Sequence, residues 1–167
     1  MGLAINYESQ PARELIKGLK YSGITAAANE LAEFLADFIK NSGLNLKNFY
    51  ILPIPLSKKR MRERGFNQSE LIARNFAKFL GIPSVAIISN AMLRVKHTRQ
   101  QTKMPDYKER LENVAKCFSV IKEEEIKGRQ FIIIDDVFTS GATSAEAVKT
   151  LKLAGARKII VLCAAKA

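Results

Sequence analysis

Two adjacent aspartates, followed by a small, hydroxyl-rich turn, are the residues of this sequence best suited to chemistry. The segment reads Ile132-Ile133-Ile134-Asp135-Asp136-Val137-Phe138-Thr139-Ser140-Gly141-Ala142-Thr143-Ser144. Backbone N–H groups and hydroxyls of such a turn can point at an anion, and a helix start behind it adds about half a positive charge. A glycine in the turn lets the backbone approach that anion closely. We therefore predict a phosphate cradle made by Thr139, Ser140, Gly141, Ala142 and Thr143.

Asp135 and Asp136 suit another part of the same ligand, because carboxylates repel a phosphate. They can bind the neighbouring hydroxyls of a ribose, or a hydrated Mg²⁺ ion. The alternative is a solvated turn whose Asp, Ser and Thr side chains only cap the next helix. Two carboxylates directly after an apolar run are more than a cap needs, so we favour a site for a sugar phosphate. The segment contains neither a Walker loop nor a Gly-x-Gly-x-x-Gly turn.

The elements around this segment indicate a parallel sheet. Residues 131–134 form a continuous apolar, mostly β-branched run, which is typical of a strand buried on both faces. A helix over residues 144–154 and a strand over residues 158–162 follow. Strand, helix and strand in this order predict an α/β fold with a parallel sheet flanked by helices. Ligands of such sheets bind at the carboxyl ends of the strands, where the two acids lie.

The rest of the chain supplies further helices and strands. Apolar residues at helical spacing predict helices over residues 11–21, 25–40 and 68–80. Short apolar runs predict strands over residues 49–55, where prolines break the strand into a loop, 85–88, and 113–121 around Cys117.

Composition limits the class of protein. A chain of 167 residues with 47% apolar content fits one domain with a real core. The net charge of +11 favours anionic partners, which include nucleic acid, acidic lipid and phosphorylated small molecules. The apolar runs are too short to span a bilayer and the N-terminus lacks a signal-peptide pattern, so we expect a cytoplasmic protein. Cys117 and Cys163 are expected to be buried thiols, and no cysteine pair has zinc-ligand spacing.

The acidic segment resembles the motif with which type I phosphoribosyltransferases bind phosphoribosyl pyrophosphate (PRPP). Residues 52–69, 93–101 and 110–114 resemble the ComF family, the competence-associated branch of that superfamily, and the resemblance extends from about Leu15 to the C-terminus. It implies one phosphoribosyltransferase-like domain over residues 1–167, with a central, mainly parallel sheet, flanking helices and a small hood with a flexible loop. Family members commonly carry a Cys-rich zinc module before this domain, and we expect that module to be absent here.

By resemblance, the loop into which the strand at residues 49–55 breaks lies near the pyrophosphate of PRPP. It comprises Pro55, Leu56, Ser57, Lys58 and Lys59. A leaving pyrophosphate needs cations and backbone donors, which this loop offers. The alternative is a solvated basic turn or a nucleic-acid patch, since Arg60, Arg62 and Arg64 continue the positive charge. For Asn67 we favour a role in capping the next helix over a direct ligand contact.

The basic stretch over residues 94–104 resembles the mobile hood that closes over PRPP. Its candidate site residues are Arg94, Lys96, His97 and Arg99. Closure would exclude water and prevent hydrolysis of PRPP. An ordinary exposed loop is the alternative, and His97 alone is weak evidence for acid–base work.

The resemblance implies transfer of a phosphoribosyl group from PRPP to a nitrogenous base, with release of pyrophosphate. Asp135 and Asp136 would be the catalytic pair and would bind Mg²⁺, the expected cofactor, through water. Two other functions stay open: a module that binds PRPP or a nucleotide without transfer and serves competence and DNA uptake, and a DNA-binding protein that uses the basic patches. A homodimer is compatible with the sequence, which does not fix the acceptor base.

Overall fold

We describe the protein from a computed structural model, for residues 2–6, 10–21, 25–83, 86–98 and 106–166. The helices are α1 (Gln10–Tyr21), α2 (Ala26–Ser42), α3 (Lys58–Arg64), α4 (Gln68–Phe79), α5 (Tyr107–Val114) and α6 (Ala142–Leu153), with a 3-10 turn at Glu123–Glu125. The strands are β1 (Gly2–Asn6), β2 (Phe49–Pro53), β3 (Met92–Arg94), β4 (Phe118–Val120), β5 (Gln130–Phe138) and β6 (Lys158–Lys166). None of the helices in these ranges is both long and apolar enough to cross a membrane.

The central sheet has the strand order β1-β6-β5-β2, and all of its neighbouring strands are parallel. The predicted parallel sheet flanked by helices is therefore confirmed. The apolar run of β5 lies in the middle of this sheet, where Ile132 pairs with Ile51 of β2 and with Ile160 of β6. Strands β3 and β4 form a separate antiparallel pair.

Each face of the central sheet is covered by its own hydrophobic core. Ile132 and Ile134 pack in a core with α1, α2 and α4, whereas Phe131 and Ile133 pack in a second core with α6 and the β3–β4 pair. Alternate residues of a strand point to opposite faces, so burial on both faces requires an unbroken apolar run. That requirement explains why the sequence of β5 shows no alternation.

The structure corrects several predicted boundaries. Strand β5 does not end before the acids but continues to Phe138, because its ladder with β6 extends to the pair Phe138–Lys166. Helix α6 begins at Ala142, two residues before the predicted start, since Gly141 supplies the turn. The expected strand over residues 113–121 shrinks to Phe118–Val120, and its first residues belong to α5.

Two further predictions differ from the structure at the edge of the sheet. Of the strand predicted over residues 85–88, Val85 lies outside the described residues, and Ile87 forms only an isolated bridge with Ile51. Lys58 and Lys59 lie in the first turn of α3 instead of a loop, because the Ser57 hydroxyl accepts a hydrogen bond from the Arg60 N–H and caps that helix. The loop after β2 thus ends at Ser57.

Candidate functional site

Asp136 is a buried carboxylate with a partner on each oxygen. Its Oδ2 lies 2.8 Å from the Lys20 ammonium of α1 and accepts a hydrogen bond of 3.1 Å from the Gln68 amide of α4. Its Oδ1 accepts a hydrogen bond of 2.7 Å from the Val137 N–H. Burial raises the pKa of Asp136, but the Lys20 charge and the hydrogen bonds outweigh burial and hold that pKa below its ordinary value. Asp136 is therefore the ionised member of the acid pair.

Asp135 has a different electrostatic environment. Its Oδ1 accepts hydrogen bonds from the Asp136 N–H at 2.9 Å and from the Ser69 hydroxyl at 3.4 Å, and the residue is 9% exposed. Burial and the negative charge of Asp136 raise the pKa of Asp135 to about 7. Two neighbouring buried carboxylates resist ionising together, so the pair carries one firm negative charge and one that varies near neutral pH.

The turn after β5 leads directly into α6. Gly141 precedes the helix in the left-handed conformation, with φ of 77°. A Cβ atom at this position would lie 2.6 Å from the Phe138 ring, so another residue would have to displace that ring and also adopt the left-handed conformation. The first N–H groups of any α-helix have no carbonyl partner within that helix, and here they lie at the carboxyl edge of the sheet. A helix start of this kind could bind an anion.

Gly141→Ala is expected to lower the free energy of unfolding by about 1–3 kcal/mol and to weaken phosphate binding, because it adds strain and a clash with Phe138. Gly81→Ala is the matched control, since Gly81 has φ of +64° but no atom within 4 Å of the added carbon. Urea unfolding of both variants measures the difference. Equal losses of stability would contradict the close packing at Gly141.

The loop between β2 and α3 is fixed to the acidic strand and to α4. The Ile54 N–H donates a 2.9 Å hydrogen bond to the Ile134 carbonyl, and the Ile54 carbonyl accepts one of 3.0 Å from the Asn67 amide. The Asn67 Oδ1 also accepts a hydrogen bond from the Ser69 N–H at the start of α4. The capping role favoured for Asn67 is thus confirmed, and it places Gln68 and Ser69 beside the acids.

Part of the predicted hood contacts the predicted pyrophosphate loop. The Ser57 Oγ lies 3.0 Å from His97 Nδ1 in a hydrogen bond, and Arg60 donates one of 3.1 Å to the Thr98 carbonyl. Partial desolvation of the ring, then the charges of Lys59 and Arg60, lower the pKa of His97. His97 is consequently neutral near pH 7 and hydrogen-bonds without adding charge.

The other hood residues have separate positions. Arg94 is buried, donates a 2.5 Å hydrogen bond to the Thr98 hydroxyl and lies 5.4 Å from the centre of the Phe118 ring. Lys96 donates to the Ala115 carbonyl at the protein surface. Arg99 lies outside the described residues. Arg94 thus anchors β3, the hood strand, whereas Lys96 is exposed at the surface.

Three residues at the acids were missed by the sequence prediction. Gln68 and Ser69 lie within residues 52–69 and at the start of the helix predicted over residues 68–80, but no local pattern indicates a contact with the acids. Lys20 lies 116 positions before Asp136 in the numbering, and no local pattern connects the two. Only the packing of α1 and α4 against β5 brings these side chains to the carboxylates.

The acid pair fits a hard cation held together with an anionic ligand. Mg²⁺ usually binds through one or two carboxylates, waters and the phosphates of a substrate. Asp135 and Asp136 supply such oxygens, and the Lys20 ammonium already lies against one of them as a cation. Across the described ranges no three His, Cys, Asp or Glu residues cluster as a metal-binding group. Asp135 and Asp136 are thus the described residues that could hold such a cation.

A cavity of about 1010 Å³ lies at the opposite end of the strands. It is lined by the end of α2, the end of α4, the start of β2 and Arg129 before β5. The Arg129 guanidinium lies 4.6 Å from the centre of the Tyr50 ring at this cavity. Because β2 enters the sheet here, the cavity is separate from the acid pair.

Two solved structures share this architecture. The allosteric regulatory enzyme of purine biosynthesis is 20% identical, with 84% of this chain and 26% of that chain covered at a TM-score of 0.52. Glutamine phosphoribosylpyrophosphate (PRPP) amidotransferase from B. subtilis is 19% identical, with 84% and 26% covered at a TM-score of 0.53. At these identities the likeness defines the fold: this is a type I phosphoribosyltransferase fold.

Sequence relatives define the family within that fold. The chain is 30% identical to DNA utilization protein YhgH of Salmonella typhimurium over 165 residues, which cover 96% of this chain and 70% of the relative. It is 35% identical to competence protein F of Haemophilus influenzae over 118 residues, covering 70% of this chain and 50% of the relative. The chain belongs to the ComF family, and it spans about half of the length of competence protein F. No family model matches the sequence.

Proposed function

We propose that this protein binds PRPP with Mg²⁺ at the carboxyl edge of its sheet and transfers the phosphoribosyl group to a nitrogenous base. One observation carries the proposal: a buried acid pair and a glycine-dependent helix start lie on one short segment at that edge. A phosphate and a diol on one sugar would satisfy both features. The name of the B. subtilis neighbour, which contains PRPP, supports this choice of sugar phosphate.

Each part of PRPP has a proposed binding partner. The turn at residues 139–143 receives the 5′-phosphate, because helix-start amides and the helix dipole attract anions. Asp135 and Asp136 receive the ribose hydroxyls and, through water, Mg²⁺. The loop from Pro55 to Ser57 and the first residues of α3, Lys58 and Lys59, receive the pyrophosphate, where exposed ammonium groups offset its charge.

The proposed reaction displaces pyrophosphate from the anomeric carbon. The bond from that carbon to the pyrophosphate oxygen breaks, a bond to the acceptor nitrogen forms, and the acceptor loses a proton to water. Positive charge develops on the ribose ring, which the acidic pair stabilises, and negative charge develops on the leaving group, which α3 stabilises. Mg²⁺ would neutralise part of the pyrophosphate charge. We assign no general base among the described residues.

The hood has a proposed role in closing the site. The hydrogen bonds Ser57–His97 and Arg60–Thr98 join the hood to the start of α3, next to the proposed pyrophosphate position. Such closure keeps water from attacking the ribose before the acceptor does. The same contacts would hold His97 near the pyrophosphate, whereas Arg94 and Lys96 have partners elsewhere.

Turnover is tested by pyrophosphate release in a panel of nucleobases with PRPP and Mg²⁺. We expect release with at least one base, and we expect Lys58→Ala plus Lys59→Ala to lower kcat/KM by about 10²-fold, because the leaving group loses two cations. Lys78→Ala, at the far end of α4, is the control for loss of charge. Release unaffected by the double substitution would contradict the role of α3.

A binding module that serves DNA uptake is the second candidate function. Two observations favour it: the names of the relatives, competence protein F and DNA utilization protein, and the basic helix α3. PRPP that stabilises the protein without any pyrophosphate release would favour this module over the transferase. DNA affinity that falls steeply with salt, and that falls further without the α3 charges, would assign DNA contact to that helix.

A further inference from the structure

The Lys20 ammonium sits where a cation of the acid pair would bind. It lies 2.8 Å from Asp136 Oδ2, and the side chains of Lys20 and Asp136 are 19% and 8% exposed. The same oxygen accepts a hydrogen bond from the Gln68 amide, while the other oxygen accepts one from the Val137 N–H. Asp136 therefore has little room for a further ligand while Lys20 stays in place.

The Lys20 ammonium compensates the negative charge of the buried acid pair. Adjacent buried carboxylates are costly unless a cation compensates their charge. Lys20 is the cation in direct ionic contact with the pair among the described residues, and it comes from α1, far from β5 in sequence. Its long stem carries several rotatable bonds, and its partial exposure lets the ammonium swing towards solvent.

We propose that the Lys20 ammonium is a counter-ion that occupies the Mg²⁺ position at Asp136 in the unliganded protein. It leaves this position when Mg²⁺ binds with PRPP. This inference rests on the proposed function, because it assigns the ligand's cation to the acid pair. The Lys20 ammonium, 2.8 Å from Asp136 Oδ2, occupies the place of the waters through which Asp136 would bind Mg²⁺, and its positive charge repels the dication. The two cations exclude each other, and displacement of Lys20 weakens the affinity for Mg²⁺.

Lys20→Met tests the exclusion, because methionine keeps an unbranched apolar stem but carries no charge. Titration with Mg²⁺ at a fixed concentration of PRPP, followed by melting temperature and by isothermal calorimetry, gives the midpoint of cation binding. We expect the midpoint in Lys20→Met at a Mg²⁺ concentration about tenfold lower than in the wild type, the size of effect that one nearby charge has on a carboxylate. Lys17→Met, an exposed position on the same helix, is expected to leave the midpoint unchanged.

The outcomes separate this proposal from the proposed function. Equal midpoints in Lys20→Met and the wild type, together with a PRPP effect, would overturn the role of Lys20 and leave the function standing. No response of either protein to Mg²⁺ or PRPP would overturn both. If Lys20→Met does not fold, Lys20→Gln keeps a hydrogen-bond donor without the charge, and the same lower midpoint is expected from it.

Discussion

Replacement of Asp135 and Asp136 together by asparagine is expected to abolish the rise in melting temperature that PRPP and Mg²⁺ give the wild-type protein. A ligand at a hundredfold excess over its Kd stabilises the folded state by about 2.7 kcal/mol. For a chain of this size that gain corresponds to a rise of roughly 5–10 °C. The double variant loses the carboxylates that hold the ribose hydroxyls and Mg²⁺, so its melting temperature should not respond.

The fold should survive the double substitution. Asparagine has nearly the volume of aspartate, and it can still accept hydrogen bonds from the Val137 N–H and the Ser69 hydroxyl. Loss of the ion pair with Lys20 costs stability, but loss of the repulsion between the two carboxylates offsets part of that cost. Asp37→Asn, at an exposed site on α2, is the matched control. A retained PRPP response in the double variant would contradict the roles assigned to the acids.

The two aspartates are expected to affect stability in opposite directions when each is replaced alone. Asp136→Asn should destabilise the protein at pH 8 by about 3 kcal/mol, because it breaks a largely buried ion pair and leaves the Lys20 ammonium without its carboxylate. Asp135→Asn should stabilise it at pH 8 by about 1 kcal/mol, because a buried charge beside Asp136 disappears. The same substitution at neighbouring positions is thus expected to change the stability in opposite directions.

The dependence on pH follows from the two pKa shifts. The pKa of Asp135 is raised to about 7 in the folded chain, so between its ordinary pKa and pH 7 only the unfolded chain has lost the proton. Stability therefore falls as pH rises through this range, and Asp135→Asn should remove that fall. The pKa of Asp136 is lowered, so its contribution is present above its ordinary pKa and is lost in acid.

Urea unfolding of both single variants between pH 4 and 8 measures these effects. The free energy of unfolding of the wild type minus that of Asp135→Asn should decrease as the pH rises. The free energy of unfolding of the wild type minus that of Asp136→Asn should become smaller towards low pH. Parallel curves for wild type and Asp135→Asn would show that the Asp135 carboxyl is not perturbed by burial and by Asp136.

The parallel sheet was predictable because burial on both faces leaves a clear pattern. An unbroken run such as residues 131–134 fits only a central strand, and a glycine such as Gly155 marks the end of the helix that follows. The length of β5 was not predictable, because aspartates are rare in strands. Only the β6 ladder and the partners of the carboxylates show why the strand continues past them.

The candidate site was predictable only in its local part. Gly141 and the two acids lie within seven residues of one another in the sequence, so a turn and its chemistry could be inferred together. Lys20 depends on how α1 packs, and the Ser57–His97 hydrogen bond depends on how the hood strand approaches α3. Contacts between distant segments are set by tertiary packing and leave no spacing pattern to detect.

A crystal structure of the protein with PRPP and Mg²⁺ would locate each part of the ligand. We predict that the 5′-phosphate lies against the amides of residues 139–143, that the ribose hydroxyls lie at Asp135 and Asp136, and that the Lys20 ammonium is withdrawn from Asp136. PRPP bound elsewhere, for example in the cavity at the amino ends of the strands, would contradict the proposed function. An acid pair that keeps Lys20 in place beneath an ordered ligand would overturn only the role proposed for Lys20.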